Sequence, residues 1–151
     1  MPIQGKYLYY KDDLSAVFEI RNQVFNYKNE EGYTDIDEFD KDAIHVIIFS
    51  MYDNRPVATG RINYIENNYT ISKVSVLEKD RLKYYGDFAV RMLATKAFMA
   101  GAEAIYLDTP PEYTEFFKKI GFIVNNDYIK KIKLVSMKLT SGSICKKCNN
   151  I

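Results

Sequence analysis

Residues 71–101, ISKVSVLEKDRLKYYGDFAVRMLATKAFMAG, constrain this chain most, because their hydrophobic period changes midway. Ile71, Val74 and Val76 are β-branched and predict a strand. Residues 78–83 form a charged turn. Beyond it, Phe88, Ala89, Met92, Leu93 and Ala97 recur at helical spacing and predict a helix with one buried face. Gly101 stands where a left-handed C′ residue closes such a helix. A strand feeding a helix through a short turn gathers N–H groups and the positive end of the helix dipole at one point. That point suits a phosphate.

The flanking sequence supplies more elements of both kinds. Residues 3–10 predict a first strand, with Asp12 and Asp13 as N-caps for a helix beyond it. From Leu14, the residues Val17, Phe18, Arg21, Val24 and Phe25 share one helical face. Residues 26–42 are polar and hold an acidic cluster at Asp35, Asp37, Glu38, Asp40 and Asp42. A calcium loop counted from Asp35 needs Gly sixth and Glu twelfth, where Asp40 and Val46 stand, so calcium is not expected. The cluster then reads either as a solvated loop with a short helix or as a wall attracting a cationic amine.

Strands come next at 45–52 and 57–65, joined by a turn at Asp53-Asn54-Arg55-Pro56, with Gly60 marking a bulge. Asn67-Asn68 makes a hairpin turn into the central strand, so the strands form an antiparallel meander. His45, the single histidine, opens the first of them and reads as a packing or hydrogen-bonding residue rather than a catalyst. After the central helix come a buried strand at 104–108, parallel to the one before the helix, and a helix at 112–120 started by Pro110-Pro111 and closed by Gly121. A last strand covers 128–139.

With 151 residues and 47% hydrophobic composition, the chain is long enough for one domain with its own core. A net charge of +1 excludes electrostatic capture of nucleic acid. No apolar run reaches membrane-spanning length, and the first residues lack signal-peptide features, so a cytoplasmic protein is expected. Both cysteines lie near the C-terminal end.

Several motifs, in order, resemble the GNAT superfamily of acyl-CoA-dependent N-acyltransferases. Arg81-Leu82-Lys83-Tyr84-Tyr85-Gly86 is similar to its pyrophosphate loop, (Gln or Arg)-x-x-Gly-x-(Gly or Ala), with Tyr84 in place of the first glycine. Phe116-Phe117-Lys118-Lys119-Ile120-Gly121-Phe122 resembles Phe-Tyr-x-(Lys or Arg)-x-Gly-Phe, with Phe117 in place of tyrosine. Ile20-Arg21-Asn22-Gln23-Val24-Phe25, Val57-Ala58-Thr59-Gly60-Arg61 and Asp37-Glu38-Phe39-Asp40 with Ala43-Ile44-His45 after it match further family runs. Met137 stands in the last strand, as is common in the family.

The resemblance implies an α+β fold with a mixed, mostly antiparallel sheet of about seven strands, helices on both faces and a parallel pair at the cofactor cleft. The domain would span 1–139, with a flexible tail at 140–151. The implied activity is transfer of acetyl from acetyl-CoA to a primary amine, on a small molecule or a peptide, by direct attack. N–H groups of Leu82, Lys83, Tyr84, Tyr85, Gly86 and Asp87 would cradle the pyrophosphate, with Arg81 and Lys83 adding charge. Val74, Ser75 and Val76 would pair with the pantetheine arm as a strand does, and Phe117 would pack against the cofactor.

The family tyrosine that protonates the leaving thiolate is absent at Phe117, so Tyr113, one turn earlier, is the candidate acid. Glu38 is the candidate base, and Asp37, Glu38 and Asp40 are the candidate amine-binding residues. Homodimers are common for this fold. Cys145-Lys146-Lys147-Cys148 offers two thiolates against the four ligands of a structural zinc site, so metal use needs a second tail. Two other functions stand beside the enzyme: an acyl-CoA-binding protein with weak transfer, and a metal- or redox-dependent interaction protein working through the CxxC.

Overall fold

A computed structural model describes residues 2–25, 36–125 and 133–145. In chain order the described residues form β1 (Gln4–Leu8), α1 (Ser15–Phe25), β2 (Ile44–Phe49), β3 (Pro56–Ile65), β4 (Asn68–Val76), α2 (Tyr85–Met99), β5 (Ala104–Thr109), α3 (Thr114–Ile120), β6 (Ile123–Val124) and β7 (Val135–Thr140). The strands make one sheet in the order β1-β2-β3-β4-β5-β7-β6. Every pairing is antiparallel except β4 with β5. The expected α+β architecture with a parallel pair is the one observed.

Alternation along β2 sends side chains to two different cores. Ile47 packs with Leu8, Leu14, Val17 and Ile20 beneath α1. Its neighbours Val46 and Ile48 join Ala89, Val90, Leu93 and Ala97 beneath α2. Helices therefore cover both faces, as expected, and α2 is the buried centre of the larger core. Gly101, at φ 96°, is the left-handed residue just beyond its C-terminus.

Several boundaries differ from the sequence expectation. The hairpin turn is Glu66-Asn67, whose φ angles of 49° and 68° suit the twist of a two-residue connection. Residues 111–113 form a 3₁₀ turn, so the helix expected from 112 begins as α only at Thr114. β6 is too short to show any periodicity. The expected last strand loses residues 128–132 to the segment outside the described residues, and its observed part runs to Thr140.

The first residues of the expected tail are bonded to the rest of the fold. Ser141 N–H donates to Glu103 O at 3.1 Å and Cys145 N–H to Ile120 O at 2.6 Å, while Ile144 packs on the larger core. Gly121 makes room for it: at φ 129°, a Cβ there would sit 2.2 Å from Ser143 O. Residues 140–145 thus belong to the domain, and Cys148 lies outside the described residues.

Candidate active site

The centre of the site is set by where β4 stops pairing. β5 meets β4 only at Tyr69↔Ile105 and Thr70↔Tyr106. Beyond Thr70 the β4 edge facing β5 has no ladder partner among the described residues. On the other side, β3 pairs Thr59↔Ser75 and Arg61↔Ser72, two steps against three. The extra residue makes a bulge at Lys73, whose φ is 56°. The bulge expected at Gly60 thus lies across from it, on β4. A bulge bends its strand and increases its twist, and here the two parallel strands diverge.

The divergence opens a cavity of about 440 Å³. Its lining includes Ser72, Lys73, Val74 and Val76 from β4, Arg81 from the loop after it, and Tyr113, Phe116 and Phe117 beside α3. Leu107, Asp108 and Thr109 from β5 face it from the other strand, and Val24 and Phe25 from the end of α1. Lys73 Nζ lies 5.2 Å from the Phe25 ring centroid. Phe117 is packed edge-on against Phe116 and Phe122, at 4.9 and 5.6 Å between centroids. Tyr113 is exposed and lines the same cavity one turn away.

The loop after β4 reaches α2 through a 3₁₀ turn at Glu78–Asp80. Arg81 Nε donates to Val76 O at 3.3 Å, which holds the arginine against the strand end. Leu82 and Tyr84 have φ angles of 64° and 71°, in the left-handed region. Tyr84 therefore adopts the backbone conformation in which glycine is favoured. The first N–H groups of α2 have no acceptor inside the helix. Tyr85 and Asp87 are buried; the Tyr85 hydroxyl accepts from Met51 N–H at 3.0 Å, and Asp87 binds Arg91 Nε at 2.6 Å. Side chains of these two residues build the loop's support.

The acidic residues have a different position from the one expected. Asp40 is fully buried, and Arg21 and Arg61 each donate to its carboxylate at 2.8 Å. Asp37 takes two bonds from Arg61, at 2.5 and 2.9 Å, and caps the 3₁₀ turn at Glu38–Asp40. Burial alone would raise the Asp40 pKa, but bonds from Arg21, the Asp37 N–H and Arg61 outweigh it and hold the group at about 2. Burial likewise opposes, and Arg61 reverses, the shift at Asp37, which ends below the ordinary carboxylate range. Asp40 is thus a fold-forming charge, closed to any substrate. Glu38 is exposed, and none of Asp37, Glu38 and Asp40 lines the cavity.

His45 is fully buried, with Nε2 3.1 Å from Asp40 O. Burial pushes its pKa down, and the nearby arginines act the same way against the opposing pull of Asp40. It is the hydrogen-bonding residue expected from sequence. The helical period placed Arg21 on the inward face of α1, but it carried no signal of its pairing with Asp40, of the burial of Arg61 or of the left-handed Lys73. Among the described residues no group of three or more His, Cys, Asp or Glu is placed to hold a metal, and no helix is long and apolar enough to cross a membrane.

No family model matches the chain. A curated relative, the uncharacterized N-acetyltransferase YjcF of Bacillus subtilis (strain 168), is 24% identical over 115 residues, covering 76% of this chain and 81% of the relative. An acyl-CoA N-acyltransferase from Pseudomonas aeruginosa superposes with a TM-score of 0.74 at 18% identity, over 92% of this chain and 100% of the other. A GNAT family acetyltransferase from Elizabethkingia anophelis, solved with acetyl-CoA bound, gives a TM-score of 0.68 at 12% identity, over 91% and 97% of the two chains. The splayed parallel pair and the superpositions show that this chain has a GNAT-like fold, and its sequence is similar to that of an N-acetyltransferase.

Proposed function

We propose that this chain is an acyl-CoA-dependent N-acyltransferase, moving acetyl from acetyl-CoA to a primary amine by direct attack. The observation that carries this reading is the cavity between β4 and β5, which adjoins both an unpaired strand edge and a helix-starting loop. The relative's description as an N-acetyltransferase and a fold shared with an acetyl-CoA-bound acetyltransferase support it.

The residues present fit such a group. Val74 and Val76, which line the cavity at the β4 edge, would pair with an amide-bearing arm, whereas Ser75 is paired with Thr59 of β3. The N–H groups of Leu82 to Asp87, with Arg81 and Lys83, offer an anion cradle at the start of α2. Phe116 and Phe117 give the cavity an apolar wall. Acetyl-CoA, when bound, supplies an acetyl group activated as a thioester.

On the protein's side, the cavity surrounds the reacting groups and orients an amine entering beside Asp108 and Glu112, which line it. Tyr113 is the hydroxyl donor within this wall and takes the acid role that Phe117 has no atom to fill. Asp40 has its charge consumed by two arginines, so an ammonium is drawn instead by the carboxylates of the cavity mouth.

Calorimetry with acetyl-CoA, run alongside thiol release on a panel of primary amines, tests the proposal. Binding with turnover on any amine is the expected result. Binding with no turnover on any amine would favour an acyl-CoA-binding protein. No binding at all would overturn both.

A further inference from the structure

We propose that the β2–β3 turn is a clamp that sets the shape of the loop before α2, with Arg55 and Asp80 as its positioning residues. This rests on the assignment of residues 81–87 to the cofactor's pyrophosphate.

Arg55 Nη1 and Nη2 donate to the two oxygens of Asp80, both at 2.8 Å, in a parallel fork. The Asp80 side chain is 1% exposed, whereas that of Arg55 is 35% exposed. The guanidinium is steadied from its other side by Asp53, 3.0 Å from Nε. The turn is itself closed, since Ser50 N–H donates to Arg55 O at 2.8 Å and Asn54 N–H to Ser50 O at 3.0 Å.

Two further contacts join the same turn to the same loop. Met51 N–H donates to the hydroxyl of Tyr85, the first residue of α2. Lys83 Nζ stands 5.4 Å from the Tyr52 ring centroid. Asp80 lies immediately before Arg81, and two of the next four residues have left-handed backbone at non-glycine side chains. Such a conformation persists only where its surroundings over-determine it. Anchors at Asp80 and Tyr85 fix both ends of this short segment, so its N–H groups are aimed before any ligand arrives. Preorganisation of this kind shows in affinity.

The test uses coenzyme A as the probe and the whole chain. Its affinity is measured by calorimetry for wild type, Arg55→Ala, Asp80→Asn, the double variant and Arg55→Lys, with melting temperature recorded for each. Arg55→Ala and Asp80→Asn are each expected to weaken binding about tenfold or more. The double variant should be no worse than either single one, and Arg55→Lys should recover part of the loss. Amide exchange across residues 81–87 should speed up in the same variants.

Wild-type affinity in Arg55→Ala and in Asp80→Asn would overturn the clamp. If either fails to fold, Arg55→Lys carries the test through an expected loss of about threefold, and an unchanged affinity there would overturn it equally. Arg81→Ala separates the two levels. Weakened binding there, with none lost in the Arg55 and Asp80 variants, sinks the clamp alone. Unchanged binding in Arg81→Ala, or no binding of coenzyme A by wild type, sinks the pyrophosphate assignment and the clamp with it.

Discussion

Arg61 Nε donates to Ser72 Oγ at 2.8 Å, one residue before the left-handed Lys73, while its Nη1 binds both Asp37 and Asp40. A single guanidinium thus connects the buried acidic turn to the strand position where β4 bulges and leaves β5. Arg21 completes the balance by supplying the second positive charge to Asp40. The network explains why the fold tolerates charges at its centre: each has a partner of opposite sign within hydrogen-bonding range.

Removing the shared acid takes from the buried Arg21 and Arg61 the carboxylate that both bind, although Arg61 keeps Asp37. Asp40→Ala is expected to destabilise the protein by about 3–5 kcal/mol. Urea unfolding monitored by circular dichroism checks this, and an unchanged midpoint would show that the network is dispensable.

Acid should act in two stages. His45 is held below its ordinary 6.5, so the unfolded chain takes up that proton before the folded one does. Its contribution is complete above that value and is lost as pH falls from about 6.5. Asp40 drops from an ordinary 3.8 to about 2, so its contribution is present above 3.8 and is lost as pH falls through about 2. Melting temperature should decline between about pH 7 and pH 5, and His45→Gln should flatten that first decline while sparing the second. A wild-type melting temperature constant over that range would contradict the assignment of a buried neutral histidine.

Tyr84 holds a left-handed backbone that glycine adopts without penalty. Tyr84→Gly is expected to leave stability unchanged or raise it by up to about 1 kcal/mol, strain relief being partly offset by unfolded-chain entropy. Tyr84→Ala keeps the strained backbone without the ring and should be the less stable of the two. Thermal melts that rank them in the opposite order would assign the ring, not the backbone, the larger role.

Tyr113 and Phe117 line the same cavity, which makes their exchange informative. Tyr113→Phe should lower kcat by about 100-fold with little change in KM for acetyl-CoA. Adding Phe117→Tyr should return part of the rate, because it restores a hydroxyl to that wall. A steady-state assay on whichever amine proves active decides it. Full activity in Tyr113→Phe would mean that another donor, or solvent, protonates the thiolate.

The sequence by itself determined the features that depend on neighbours along the chain. The β-branched run before residue 77, the helical spacing from Phe88 to Ala97 and the left-handed glycine at 101 are local, and each is readable from period and turn chemistry. The order of the elements and the motifs between 81 and 122 build on them, and they carry the resemblance that anticipated the GNAT-like fold. The acidic cluster shows the limit of local pattern. Asp37 and Asp40 look like a solvated or substrate-facing charge run until Arg21 and Arg61 are brought against them from other elements. Tertiary structure alone decided that pairing, the extra residue at Lys73, the Arg55–Asp80 fork and the docking of residues 141–145. The reason is common to all four: each depends on contacts between residues far apart in the chain, and hydrophobic period records only which face a residue turns inward, not which charge it meets there.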